Sequence, residues 1–223
     1  MAVTNSAPYT LSIPRPAVSF RELAELVLGF AAIMLVLWLP TREQLILGPI
    51  ALLAPLVMVL SRRPGISELG FGWRGLVSSF WILPSTVGLT IVGLMLARSA
   101  GSYHALYKGD VMHAGGYVLW TIYQQFLLQD YFMPRLTRIL ASDAAVGVAA
   151  VLFAVAHLPN LPLALATLVW GAVSCALFRR YRSVYVLGLA QGILGLCFAV
   201  CIPEAMHHHM RVGLGYFRYN SGQ

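Results

Sequence analysis

Charge is scarce in this chain. Of 223 residues only 10% are Asp, Glu, Lys or Arg, where a soluble domain carries about 25%. Acids are scarcer still, eight in all against fifteen Lys and Arg. A chain so poor in charge and 59% hydrophobic cannot present a soluble domain's polar surface, and its mean hydropathy of +0.76 marks a polytopic membrane protein. Cysteine is also sparse. Cys175, Cys197 and Cys201 fall inside apolar runs, and none has zinc-type spacing to another Cys or His, so they read as small apolar filling. The stretch before Phe20 holds Ser, Pro and Thr but no apolar h-region, so no cleavable signal peptide is expected. Internal repeats and low-complexity tracts are lacking too, and the length suits one helical bundle.

What the chain has is long apolar runs. A hydrocarbon core of about 30 Å takes about 20 apolar residues in a helix. On that measure seven spans are predicted, near 23–39, 44–60, 76–97 (kinked at Pro84), 117–131, 144–157, 161–178 and 184–202. The expected fold is therefore all-α, a polytopic transmembrane helical bundle of about seven spans. Its expected layout is a cytoplasmic arm at 1–20, one transmembrane domain at 21–203 and a polar, aromatic tail at 204–223. The net charge of +7 sits between apolar runs, which assigns it to topology and anionic lipid and not to nucleic acid. Counting basic residues by the positive-inside rule puts the N-terminus in the cytoplasm and the C-terminus outside, in a bacterial inner membrane.

Polar side chains inside a membrane are costly and face the bundle interior. Here they are Gln124, Gln125 and Gln129 in the fourth span, His157 at the end of the fifth and Gln191 in the seventh. Gln125 and Gln129 share a helix face, four residues apart. Taken alone, they read as amide glue between helices.

A family resemblance changes their weight. The stretch QQFLLQDYFMPRL resembles the first motif, Glu-Glu-x-x-x-Arg-Gly, of the CAAX prenyl protease and bacteriocin-processing (CPBP, or Abi) intramembrane proteases. FAVAH, with Phe153 and His157, resembles their Phe-x-x-x-His motif. GLAQGILGL lies where their third motif carries a His and then an Asn or Asp. The resemblance runs over about 116–201. It implies a site in which a buried glutamate takes a proton from water while histidines assist.

The chain departs from that pattern at the reacting groups. Gln124 and Gln125 replace the two glutamates, Gln129 the arginine and Gln191 the third-motif histidine; Phe153 and His157 are kept. An amide has the shape of a carboxylate but is no general base near neutral pH, and it is a poor metal ligand. Replacing all three residues of the first motif removes acid and base together, so no lone charge is left in the membrane. Asp130 is the one acid beside the motif. On a regular α-helix it points about 140° away from Gln125, so a helix-end contact or a pair with Arg135 or Arg138 is expected for it.

The resemblance thus implies a bundle that is kept and a proteolytic site that is not: a degenerate member acting as an accessory, assembly or binding subunit among other membrane proteins. The alternatives left open are an active endopeptidase with a rearranged site, processing prenylated or leader peptides, and a small lipid-handling or transport protein. No cofactor is predicted, with room for a bound lipid or pigment. No metal site is expected either. The residues that would form one are His113, His157, His207, His208 and His209, and consecutive histidines on a helix point apart. The tail segment MRVGLGYFRYN, with its arginines and aromatic rings, reads as a membrane-interface segment, with a docking surface as the alternative.

Overall fold

The computed structural model describes residues 19–105 and 111–218, with the backbone alone at 111–114. Among the described residues every regular element is helical. Helices α1 (Phe20–Trp38) and α2 (Thr41–Ser61) form a hairpin around Leu39 and Pro40. Next come α3 (Trp73–Ser79) and α4 (Ile82–Ser99). The long fourth element starts as α5 (Val111–Phe126), widens into a π-helical turn at Leu127–Phe132 and continues as α6 (Met133–Ile139). It is followed by α7 (Ser142–Val155), α8 (Leu161–Tyr181) and α9 (Val184–Cys201). The tail adds the short α10 (Glu204–His207), a 3₁₀ turn at His208–Met210 and α11 (Leu214–Phe217).

Four of these helices are long and apolar enough to cross a membrane: α2, α4, α8 and α9. Helix α1 has the length but carries Arg21, Glu22 and Glu25 at its start, while α5 and α7 are shorter. The predicted kink at Pro84 is instead a break between α3 and α4 at Phe80 and Trp81. Pro84 thereby falls in the first turn of α4, where its missing N–H would have had no helical partner.

The outer faces of the helices are apolar. Leu45, Ile50, Leu53 and Val57 on α2, Leu89, Val92 and Leu96 on α4, and Leu165 and Val169 on α8 all stand exposed. Such a surface fits lipid, not water. Inside, α9 packs against α4 and α5, and α7 packs against α8. The π turn and α6 fill the space between the α1–α2 hairpin and α7–α8. Tyr131, Ala145, Cys175, Val184 and Ala190 are fully enclosed there.

The tail does not lie loose at an interface. The Gly213 N–H donates to the Leu158 carbonyl (2.8 Å), and the Trp38 and Phe217 rings stand 6.2 Å apart. MRVGLGYF therefore docks on α1 and on the α7–α8 turn of its own chain. Tyr219 and Asn220 lie outside the described residues.

Candidate functional site: a buried amide network

The glutamines of the fourth and last long helices converge. Two glycines of α9 allow it: a Cβ at Gly188 would lie 2.6 Å from the Ile122 backbone, and one at Gly192 would lie 3.2 Å from Thr121 Oγ1. Backbones that close bring side chains from α5 and α9 within bonding reach. Thr121 tightens the contact by donating to the Gly188 carbonyl (2.9 Å).

One turn further along each helix, the amides meet. Gln129 Nε2 donates to Gln125 Oε1 (3.1 Å), Gln125 Nε2 to Gln191 Oε1 (2.6 Å), and Gln191 Nε2 to Gln124 Oε1 (2.5 Å). Helix α8 closes the side. Trp170 Nε1 donates to Gln191 Oε1 (3.2 Å), and Ser174 Oγ (3.4 Å) and Cys175 Sγ (3.7 Å) lie beside Gln129 Nε2. Gln125 and Gln129 are fully buried and Gln191 nearly so. Gln129 Oε1 has no hydrogen bond among the described residues.

This chain of bonds requires amides. The middle members, Gln125 and Gln191, each donate and accept, which glutamine can do and an ionised glutamate cannot. A carboxylate at Gln125 would confront Gln191 Oε1 with a second acceptor. The four positions where the resemblance placed altered motif residues are thus neighbours in space, joined by bonds between their amides. Trp170 and Ser174 were not singled out from the sequence, and Cys175, expected as apolar filling, is enclosed with its Sγ beside Gln129. Trp170 and Ser174 share a face of α8, four residues apart, and that spacing is the one signal they offered.

His157 lies near this network but outside its bonding. Phe153 packs at Gly171, next to Trp170 in the chain. His157 is one turn beyond, its ring edge-on to Phe153 at 4.9 Å. His157 Nδ1 is 2.7 Å from the Phe153 carbonyl oxygen. A carbonyl only accepts, so Nδ1 carries the proton and Nε2 the lone pair. His157 forms no hydrogen bond with the four amides.

The remaining described histidines lie at the tail, where His104 stacks on His207 at 6.0 Å between centroids. His207 is buried, and its Nδ1 accepts from the Met210 N–H (3.1 Å). His208 stacks on Tyr216 at 4.1 Å between centroids, and His209 pairs with Glu204. The side chain of His113 lies outside the described residues. Among the described residues no three His, Cys, Asp or Glu side chains gather as a metal site would require. Asn160 is a polar residue the sequence reading passed over. Fully buried, it caps α8 by accepting from the Leu163 N–H (3.2 Å) and donates to the His207 (2.7 Å) and Arg211 (3.1 Å) carbonyls.

Asp130 departs from expectation. It is buried in the π turn, its Oδ2 has no hydrogen-bond partner among the described residues, and the charge that acts on it is that of Arg182, at the end of α8. The expected pairs go elsewhere, Arg135 to Glu25 and Arg138 to Glu22. Helix α7 starts beside the end of α8, where Arg179 meets Asp143 (2.9 Å), so His157 beyond the end of α7 lies near the start of α8. Asp130 and His157 are therefore toward opposite ends of α8, a helix of roughly 30 Å by its 1.5 Å rise.

A family model described as Type II CAAX prenyl endopeptidase Rce1-like matches residues 23–197. The chain belongs to that family. The match takes in α1 to α9, including the Glu25–Arg135 pair as well as the amide network, and so extends the resemblance toward the N-terminus by four helices, α1 to α4. No curated protein and no solved structure matches the chain significantly.

Proposed function

We propose that this member of the Rce1-like family is catalytically degenerate and serves as an accessory or binding subunit among other membrane proteins. The observation that carries this is the network of Gln124, Gln125, Gln129 and Gln191: at the motif positions the side chains spend their donors and acceptors on one another. Activating water for peptide hydrolysis needs a proton acceptor aimed at that water. Amides bonded in series offer none, and the one nearby acid, Asp130, is far from His157. The bundle then acts as a scaffold whose apolar faces meet lipid and partner subunits.

In this proposal α1, α2, α3–α4, α5–α6, α7, α8 and α9 make seven passages, with the N-terminus in the cytoplasm of a bacterial inner membrane and the C-terminus outside. The arginines support that orientation. Nine described ones (Arg21, Arg62, Arg63, Arg74, Arg135, Arg138, Arg179, Arg180, Arg182) fall at the end holding the start of α1, against four (Arg42, Arg98, Arg211, Arg218) at the other.

Two experiments test the function. A mild-detergent pull-down of the full chain from its native membrane should bring stoichiometric partner subunits. Purified protein incubated with a prenylated peptide should leave it intact, and the Gln124→Glu/Gln125→Glu variant should do the same. Cleavage by the purified chain that disappears in His157→Ala would overturn the proposal in favour of an active endopeptidase.

A further inference from the structure

At the end of the bundle where α1 starts, α2 ends and α6 ends, there is a cleft of about 460 Å³ lined by Ser19, Arg21, Glu22, Arg62 and Arg138. Its volume falls in the range of about 300–1,000 Å³ of small-molecule sites. Its lining holds one acid, Glu22, and three bases. Behind that lining lies Glu25, its side chain 11% exposed. It accepts from Arg135 Nε (3.0 Å) and Nη2 (2.6 Å), from Arg62 Nη2 (2.7 Å) and from Arg21 Nε (2.9 Å). Glu22, also largely covered, takes Arg138.

Four guanidinium groups meet two carboxylates, which leaves two positive charges in excess. The excess sits on the rim. Arg21 is 79% exposed, Arg138 55% and Arg62 32%, whereas Arg135 is enclosed. Among the described residues each rim arginine is tied to carboxylate through one nitrogen. A guanidinium carries further N–H groups in a planar fork suited to phosphate. The carboxylates thus anchor three guanidinium groups that line one opening. The exposed apolar faces of α1 and α2 begin just beside it, at Leu28 and Leu60, so the opening lies where a bilayer's headgroups meet its tails.

We propose that this cleft is a binding site for a phosphate group, held by Arg21, Arg62 and Arg138, whose guanidinium groups Glu22 and Glu25 anchor. The phosphate is that of an anionic phospholipid headgroup or a free phosphate. The inference needs the chain to be embedded in a membrane but does not depend on whether its amide network is catalytic.

The test uses the full chain purified in mild detergent. In one arm, phosphatidylglycerol and phosphatidylcholine are titrated separately, and bound lipid is counted by native mass spectrometry. In the other, inorganic phosphate replaces chloride at equal ionic strength and the melting temperature is read. Preferential retention of one phosphatidylglycerol, weakened about fivefold by each of Arg62→Gln and Arg138→Gln, identifies the headgroup. A phosphate-dependent rise in melting temperature that the same variants abolish, without lipid preference, identifies free phosphate. Arg21→Gln, at the most exposed of the three, gives the same readout should the other variants fail to fold. Arg98→Gln, at the opposite end of the bundle, should change neither. Indifference to both ligands overturns the proposal, as does a loss in Arg98→Gln equal to that in the cleft variants, which would mean diffuse surface charge.

Discussion

Single side chains carry unequal weight in this protein. Gln191 accepts from Gln125 and Trp170 and donates to Gln124. One hydrogen bond between membrane helices is worth only about 0.6 kcal/mol. Gln191→Leu, however, leaves the fully buried Gln125 amide without its acceptor, at about 1–3 kcal/mol, and takes a partner from the half-buried Gln124 and Trp170. A loss of about 2 kcal/mol is expected in a detergent unfolding titration, while Gln191→Glu should be worse because a second acceptor would face Gln124 Oε1. Arg135 has a larger role. Its guanidinium is enclosed, held by Glu25, by the Tyr131 carbonyl (2.7 Å) and by the Tyr131 ring at 3.9 Å. Arg135→Ala removes two charge-assisted bonds to Glu25, which keeps Arg21 and Arg62, and should cost about 2–3 kcal/mol. Arg135→Met combined with Glu25→Met should lose less than the sum of the two single changes, which a double-mutant cycle measures.

Among the elements, the α5–α9 contact decides whether the amide network exists. Gly188 faces the Ile122 backbone, which cannot swing aside as a side chain would. Gly188→Val therefore has to part the helices, at about 1–3 kcal/mol or more. Trp170 would lose its partner on α9, visible as a change in its near-ultraviolet circular dichroism. Docking of the tail depends on protonation. His207 Nδ1 must be unprotonated to accept from Met210, and burial pushes the His207 pKa below the usual 6.5, with His104 and His209 acting in the same direction and the Ile202 backbone and Glu204 against it. A depressed pKa means that the unfolded tail binds the proton more readily. The docked tail is thus fully stable above about pH 6.5 and loosens as pH falls through the lowered value. Hydrogen exchange at residues 204–217 should rise on acidification, and His207→Gln should flatten that dependence.

At the scale of the whole molecule, the two ends of the bundle are chemically different. One gathers nine described arginines around Glu22, Glu25 and Asp143; the other gathers Asn160 and the histidines of the tail. That asymmetry predicts topology. A reporter fused before residue 19 should read cytoplasmic and one fused after residue 218 should read external. Shifting the balance by adding arginines near Arg98 should destabilise or mix that orientation.

Composition and the lengths of the apolar runs determined that this is an all-helical membrane protein, because burying about 20 consecutive apolar residues leaves few other solutions. The order of QQFLLQDYFMPRL, FAVAH and GLAQGILGL was enough to point to the family, since side-chain identity is written directly in the chain. Tertiary structure alone decided the rest. The π turn at Leu127–Phe132 buries Asp130 where a regular helix would turn it aside, and no local residue pattern marks that change of winding. Arg135, an ordinary charge by its place after a span, lies under α1 because Glu25, 110 residues earlier, meets it there. Whether glutamines on two helices are separate polar spots or one bonded series depends on how closely α9 approaches α5, a distance set by Gly188 and Gly192 against their neighbours and by nothing within either helix alone.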